Sequence, residues 1–293
     1  MVEVVDVASK VWKEVFMDGP YSSFAMVDAI AAHLGLSYED ILRNPANLKA
    51  FDPNSVTKEN LSKPPFSLTW SSLTGRCTSF ALKAATLLDT RYPNIFRFQY
   101  FDVGRHRVAR CANTGILIDS SSKVGAVALG ESEDWITIQG IEGRWMYVDG
   151  VSTYERSARH GRKRASPITP ERAIRTCLRE IAKEATLVCV FRSLDIGETP
   201  EIWTRRLRGM VKWNIAAKCL ELTPDLTNRD KRVVISFSHR GTQETAEKCI
   251  LIVAEFIKTS GDLRQWRADR TDKIHNRLWD TAVNLWGYPT QIL

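Results

Sequence analysis

The sequence predicts an α+β protein with N-terminal helices, a central antiparallel sheet and additional C-terminal helices. Three observations carry this reading. Residues 4–17 and 22–34 place apolar side chains at helical spacing. Residues 95–149 break into short strand-length apolar runs separated by Gly and Asn. Residues 242–285 return to helical patterning over two long segments.

The elements follow in order. Gly19-Pro20 punctuates the first two helices, and Gly35 ends the second. Ser37-Tyr38-Glu39-Asp40 has the form of a cap for a short third helix. Residues 44–66 carry Pro45, Pro53, Pro64 and Pro65 and read mostly as connection. After Thr74-Gly75, residues 76–89 have a helical apolar pattern. Strands are expected at 95–101, 105–111 and 114–119, and further ones at 124–129, 134–139 and 144–149. Thr169-Pro170-Glu171-Arg172 starts a helix that runs to about residue 183. Residues 186–192 and 232–238 read as strands, and 209–222 stays open between strand and helix. Helices at 242–259 and 262–285 close the chain, with Trp266, Trp279 and Trp286 packing them. Composition suggests three parts: a helical segment at 1–65, a core at 66–165 and an α+β portion at 166–293.

The chemistry concentrates in the middle part. Cys77, His106 and Asp119 form an ordered thiol, imidazole and carboxylate series. A helix N-terminus at Cys77 would favour the thiolate through its free N–H groups and dipole, and a nearby imidazolium would favour it further. His106 lies 29 positions beyond Cys77, room for a helix, a strand and a reversal. Asp119 lies 13 beyond His106, the span of two adjacent strands and their turn. An antiparallel pair can therefore set the carboxylate against the imidazole and leave its other nitrogen for sulfur. The Cys77 backbone N–H, the Trp70 indole N–H and Gln99 are the candidate oxyanion donors.

These residues resemble the Cys–His–Asp core of the transglutaminase-like superfamily, which is papain-like in its triad. The matching stretches are GRCTSFALKAATLL at 75–88, GRHRVA at 104–109 and GILIDSSS at 115–122. A more distant similarity is to the arylamine N-acetyltransferases. The resemblance implies a transglutaminase-like fold with Cys77 as nucleophile, His106 as general base and acid, and Asp119 orienting the histidine. It implies cysteine-dependent acyl transfer or amide hydrolysis through a covalent acyl-enzyme. The substrate would be a peptide, an amide or a thioester, with water or an amine as acceptor. Arg107-Val108-Ala109-Arg110 stands where the superfamily is aromatic-rich, and Ser120 where many members have proline. The Arg-Gly-Gly-x-Cys approach of the acetyltransferases is replaced by Leu73-Thr74-Gly75-Arg76-Cys77. Transglutaminase, peptide-processing and amidase branches all stay open.

Other classes find less support. None of the five histidines makes HExxH, and GxGxxG, P-loop and EF-hand patterns are absent, so neither a metal nor a cofactor is expected. His239 reads as a loop histidine, and Asp269 and Asp272 read as helix neighbours paired with Arg270 and Lys273. Cys177, Cys189, Cys219 and Cys249 lie in apolar runs and read as buried free thiols. Apolar runs are too short for a membrane span, and the acidic N-terminus lacks a signal peptide's basic opening, so a cytoplasmic location is expected. The net charge of +7 is a mild bias. Its densest patch, Arg156, Arg159, His160, Arg162, Lys163 and Arg164, reads as an exposed loop. That loop supports an alternative, a noncatalytic module that binds an acidic protein or RNA. A nucleic-acid enzyme is not expected, because no metal cluster accompanies the patch.

Overall fold

In the computed structural model the described residues are 2–67, 75–104, 106–119, 126–128, 136–138, 141–148, 151–155, 162–196, 203–224 and 232–292. Helices and antiparallel sheets occupy largely separate stretches of the chain, as the α+β reading requires. The chain divides into two discontinuous units. Unit 1 contains 1–17, 76–174 and 194–206; unit 2 contains 18–75, 175–193 and 207–293.

In unit 1 the N-terminal helix, Val2–Asp18, buries Ala8, Val11, Trp12, Val15 and Phe16 along one stripe. That is the i, i+3, i+4 spacing of a single helical face. The helix Cys77–Arg91 follows. It packs across three strands, β2 (Phe98–Val103), β3 (His106–Cys111) and β4 (Ile116–Ile118). These belong to a five-stranded sheet in the order β10-β2-β3-β4-β5, with β5 at Ala126–Ala128 and β10 at Ser166–Ile168. Phe101, Val103, Val108, Leu117, Val127 and Ala165 form one buried cluster of this sheet. Asp89, near the end of the Cys77 helix, accepts from the Phe98 N–H at 3.1 Å and ties helix to sheet.

A second sheet of unit 1 is β6 (Ile136–Ile138), β7 (Ile141–Val148), β8 (Val151–Glu155) and β9 (Arg162–Arg164), in that order. The basic stretch expected as a loop is therefore corrected in part. Arg162, Lys163 and Arg164 pair with Glu155, Tyr154 and Thr153 as a strand, and Arg156, Arg159 and His160 lie outside the described residues. Strand formation wins because ladder pairing along β8 satisfies the backbone of 162–164, which a loop would leave to water.

Unit 2 holds most of the six-stranded sheet β1-β11-β12-β13-β14-β15. Its strands are β1 (Tyr21–Ser22), β11 (Leu187–Ile196), β12 (Trp203–Asn214), β13 (Cys219–Thr223), β14 (Val233–Phe237) and β15 (Pro289–Ile292). The ambiguous stretch 209–222 thus resolves into a hairpin, with Asn214 opposite Cys219 and Met210 opposite Thr223. Local pattern could not decide this, because strands on both sides of the hairpin satisfy its backbone and only tertiary pairing supplies them. The short helix Tyr38–Arg43 carries a full capping box: Ser37 accepts from the Asp40 N–H, and Asp40 accepts from the Ser37 N–H.

At the C-terminal end run the helices Gln243–Thr259, Leu263–Arg267 and Thr271–Trp286. The expected single helix over 262–285 is broken at Ala268–Arg270, where Asp269 (φ 49°) and Arg270 (φ 62°) turn left-handed. Asp269 and Asp272 therefore do not share a helix, which corrects that reading. Trp266, Trp279 and Trp286 are buried. Trp279 and Trp286 both meet Phe237 edge-on, at 5.2 and 6.0 Å between ring centroids. Cys177, Cys189, Cys219 and Cys249 are buried and take part in no disulfide. No helix among the described residues is long and apolar enough to cross a membrane.

Candidate active site

Cys77 is the first residue of its helix, after Arg76 at the N-cap with an extended backbone. Arg76 makes no side-chain cap hydrogen bond, so no side chain from the cap position competes for the first-turn N–H groups. Cys77 is half-buried, whereas the other five cysteines are buried.

The partner side chains come from the adjoining hairpins. Gly104, at φ 66°, supplies the left-handed residue that the tight β2–β3 turn requires. This reversal sets Val103 opposite His106 and Asp102 opposite Arg107. On the other side of β3, Ala109 lies opposite Ile118. Continuing that register one residue sets Asp119 opposite Val108, diagonal to His106 on the same face. Diagonal neighbours about 7–8 Å apart at the backbone are within reach of such side chains. His106 Nε2 lies 2.7 Å from Asp119 Oδ1. Asp119 is fully buried and His106 is one-fifth exposed.

The imidazole also bonds to Cys77. With Nε2 on the carboxylate, Nδ1 is the nitrogen left for sulfur. The ionisation of the pair follows. Burial pushes the Cys77 thiol up, but the His106 bond and charge, then the Arg107 N–H and charge, outweigh it and hold the thiol below its ordinary value. Burial pulls the His106 imidazole down, but the Asp119 charge and hydrogen bond, then Cys77, outweigh it and raise the imidazole above its ordinary value. Opposite displacements of this kind favour thiolate and imidazolium together.

Arg107 was not singled out as a site residue from the sequence. Its N–H donates to Cys77, while its guanidinium is buried, with Nε 3.6 Å from Asp102. A signal did exist. A turn at Gly104 between two strands sets residues on its two sides against each other, and Asp102 and Arg107 carry opposite charge. Gln99 is corrected in the other direction. It is exposed and opposite Arg110, four residues along β2 from Val103 and so roughly 13 Å from the His106 end. That distance removes it as an oxyanion donor. Trp70 lies outside the described residues. The Cys77 N–H remains, at the helix start where intrahelical acceptors are lacking. Among the described residues no group of three or more His, Cys, Asp or Glu gathers in a metal-binding arrangement.

No family model matches the chain and no curated protein matches it. Among solved structures, it is similar to two of Mycobacterium smegmatis arylamine N-acetyltransferase, each with a TM-score of 0.44 and 10% identity. One match covers 97% of this chain and 92% of that one, the other 94% and 91%. It is also similar to Mycobacterium marinum arylamine N-acetyltransferase in complex with CoA, with a TM-score of 0.42 and 9% identity over 98% of this chain and 94% of that one. At these scores the likenesses assign neither an activity nor a substrate.

Proposed function

We propose that the protein is a cysteine-dependent enzyme that transfers or hydrolyses acyl groups through a covalent thioester on Cys77. The observation that carries this reading is one imidazole with both nitrogens committed. His106 has Asp119 on Nε2 and the helix-start sulfur of Cys77 on its other side.

The thiolate attacks the carbonyl carbon of an amide, ester or thioester. A C–S bond forms and the carbonyl electrons move onto oxygen, where the Cys77 N–H can donate to the oxyanion. As the intermediate collapses, the bond to the leaving group breaks and His106 protonates that group when it departs as an amine. The neutral imidazole then takes a proton from water or an amine as that acceptor attacks the thioester carbonyl. Cys77 leaves as thiolate and His106 is again imidazolium, so protons and electrons balance over the cycle. Asp119 holds the ring in position and stabilises its charge. Water as acceptor makes the enzyme a hydrolase, and an amine makes it a transferase.

The test combines p-nitrophenyl acetate as acyl donor with the pH dependence of iodoacetamide alkylation. Acetylation should be stoichiometric and map to the Cys77 peptide by mass spectrometry. Alkylation of Cys77 near neutral pH should fall by about tenfold or more in His106→Ala, because burial then acts on the thiol without its counter-charge. Acetyl on other residues, or an alkylation rate indifferent to His106, would sink the proposal.

A further inference from the structure

Unit 2 contains a cavity of about 770 Å³ among the helices Gln243–Thr259, Leu263–Arg267 and Thr271–Trp286. It shares no residue with the Cys77, His106 and Asp119 set. The volume lies in the range of small-molecule sites, about 300–1,000 Å³. Val253, Ile257, Trp266 and Trp279 make apolar and aromatic wall. Ile250 and Leu263 also line it and stand about half exposed, which carries the apolar surface out to its rim.

Of the titratable side chains in this wall, one is buried. His275 is 4% exposed, with Trp266 edge-on at 5.0 Å and Trp279 tilted at 6.3 Å between centroids. The indole Nε1–H of Trp213 donates to His275 Nδ1 at 3.3 Å. An indole nitrogen only donates, so Nδ1 must be the bare nitrogen and a neutral ring must hold its proton on Nε2. Burial lowers the imidazole to about 4, which keeps the ring neutral at physiological pH. Nε2–H is bonded to no protein group among the described residues and is not one of the polar atoms sealed inside the protein, so it opens at the surface of the wall. Trp213 is not part of the cavity wall, whereas His275 is.

The geometry points to a binding site in which His275 Nε2–H projects into this cavity and donates to the carbonyl oxygen of a small, uncharged, ring-containing molecule. A donor recessed in an apolar wall gains most from a ligand that brings one acceptor and otherwise only apolar surface. Lys258 and Arg267 are balanced in the lining by Asp272 and Asp280, so the site selects neither sign of charge. The aromatic wall suits planar rings. A peptide helix fits less well, since its own carbonyls are already bonded within the helix.

The test uses the full chain with benzophenone and diphenylmethane, two molecules of similar shape that differ by the carbonyl. Titration calorimetry should show benzophenone binding about threefold to tenfold tighter, the increment of one hydrogen bond. The ¹⁵N resonance of His275 Nε2 should move with benzophenone and stay with diphenylmethane. Ala254→Trp, at an exposed position of the lining, should abolish binding of both. His275→Phe should reduce benzophenone to the diphenylmethane affinity. The wild-type ligand pair and the resonance decide the matter if that variant does not fold. Equal affinity for the two compounds, binding that survives Ala254→Trp, or a stationary Nε2 resonance would overturn the site. So would preference for an amphipathic peptide over both compounds. None of these results bears on acylation of Cys77, which is read separately.

Discussion

His106 in unit 1 and His275 in unit 2 are both imidazoles withdrawn from water, and burial by itself drives each toward its neutral form. Their surroundings then diverge. His106 meets a buried carboxylate at 2.7 Å and a thiol on its other side, and its proton is held above the ordinary range. His275 meets Trp213, Trp266 and Trp279, none of which can stabilise added charge as a carboxylate does, and it drops to about 4. Burial sets the size of the stakes, and the charged neighbours, Asp119 first and Cys77 after it, set the sign. One histidine is thereby suited to move protons, the other to hold one in place.

The comparison breaks most severely at Asp119. Asp119→Asn keeps the shape but removes the charge that holds His106 protonated. Release of p-nitrophenolate by acylation should fall by about 10²–10⁴-fold. A fall of less than about threefold would leave the carboxylate a packing role only.

A smaller effect should appear in stability against pH, with opposite signs for the two rings. His275 has a folded value below its unfolded one, near 6.5. Its contribution is fully present above about 6.5 and is lost as pH falls toward 4, on the order of 3 kcal/mol in all. Urea unfolding across this range should show that slope in the wild type and lose it in His275→Phe; parallel curves would refute the neutral assignment. His106, raised in the fold, contributes below its unfolded value and loses that contribution as pH rises through its folded one.

The smallest effect sharpens the contrast between two helix starts. Thr242 caps the helix Gln243–Thr259 by accepting from the Thr245 N–H at 3.2 Å, whereas Arg76 places no side-chain cap on the Cys77 helix. Thr242→Ala should cost about 1 kcal/mol in urea unfolding. A cost below about 0.3 kcal/mol would show that this cap contributes nothing.

Much of this was legible locally. The stripe at 8, 11, 12, 15 and 16, the Ser37–Asp40 capping box and the strand-length runs around His106 are patterns within a few residues, and the physics behind them is equally local. The order of Cys77, His106 and Asp119 was legible for the same reason, whereas the pairing of Asp102 with Arg107 came only with the register of the β2–β3 hairpin.

Other features depended on partners distant in sequence. The stretch 209–222 carries no decisive period, and it became a hairpin because β11 and β14 flank it in the sheet. Gln99 faced the right chemistry on paper, but hairpin register carried it to the far end of its strand. His275 gave no sequence signal, because its tautomer follows from an indole 62 positions away. By itself the sequence determined the helical and strand periods, the local caps and turns, and the chemical types available along the chain. Tertiary structure alone decided which imidazole is charged and which donor faces a cavity, because ionisation and tautomer depend on burial and on groups within a few ångströms, and the fold chooses those groups.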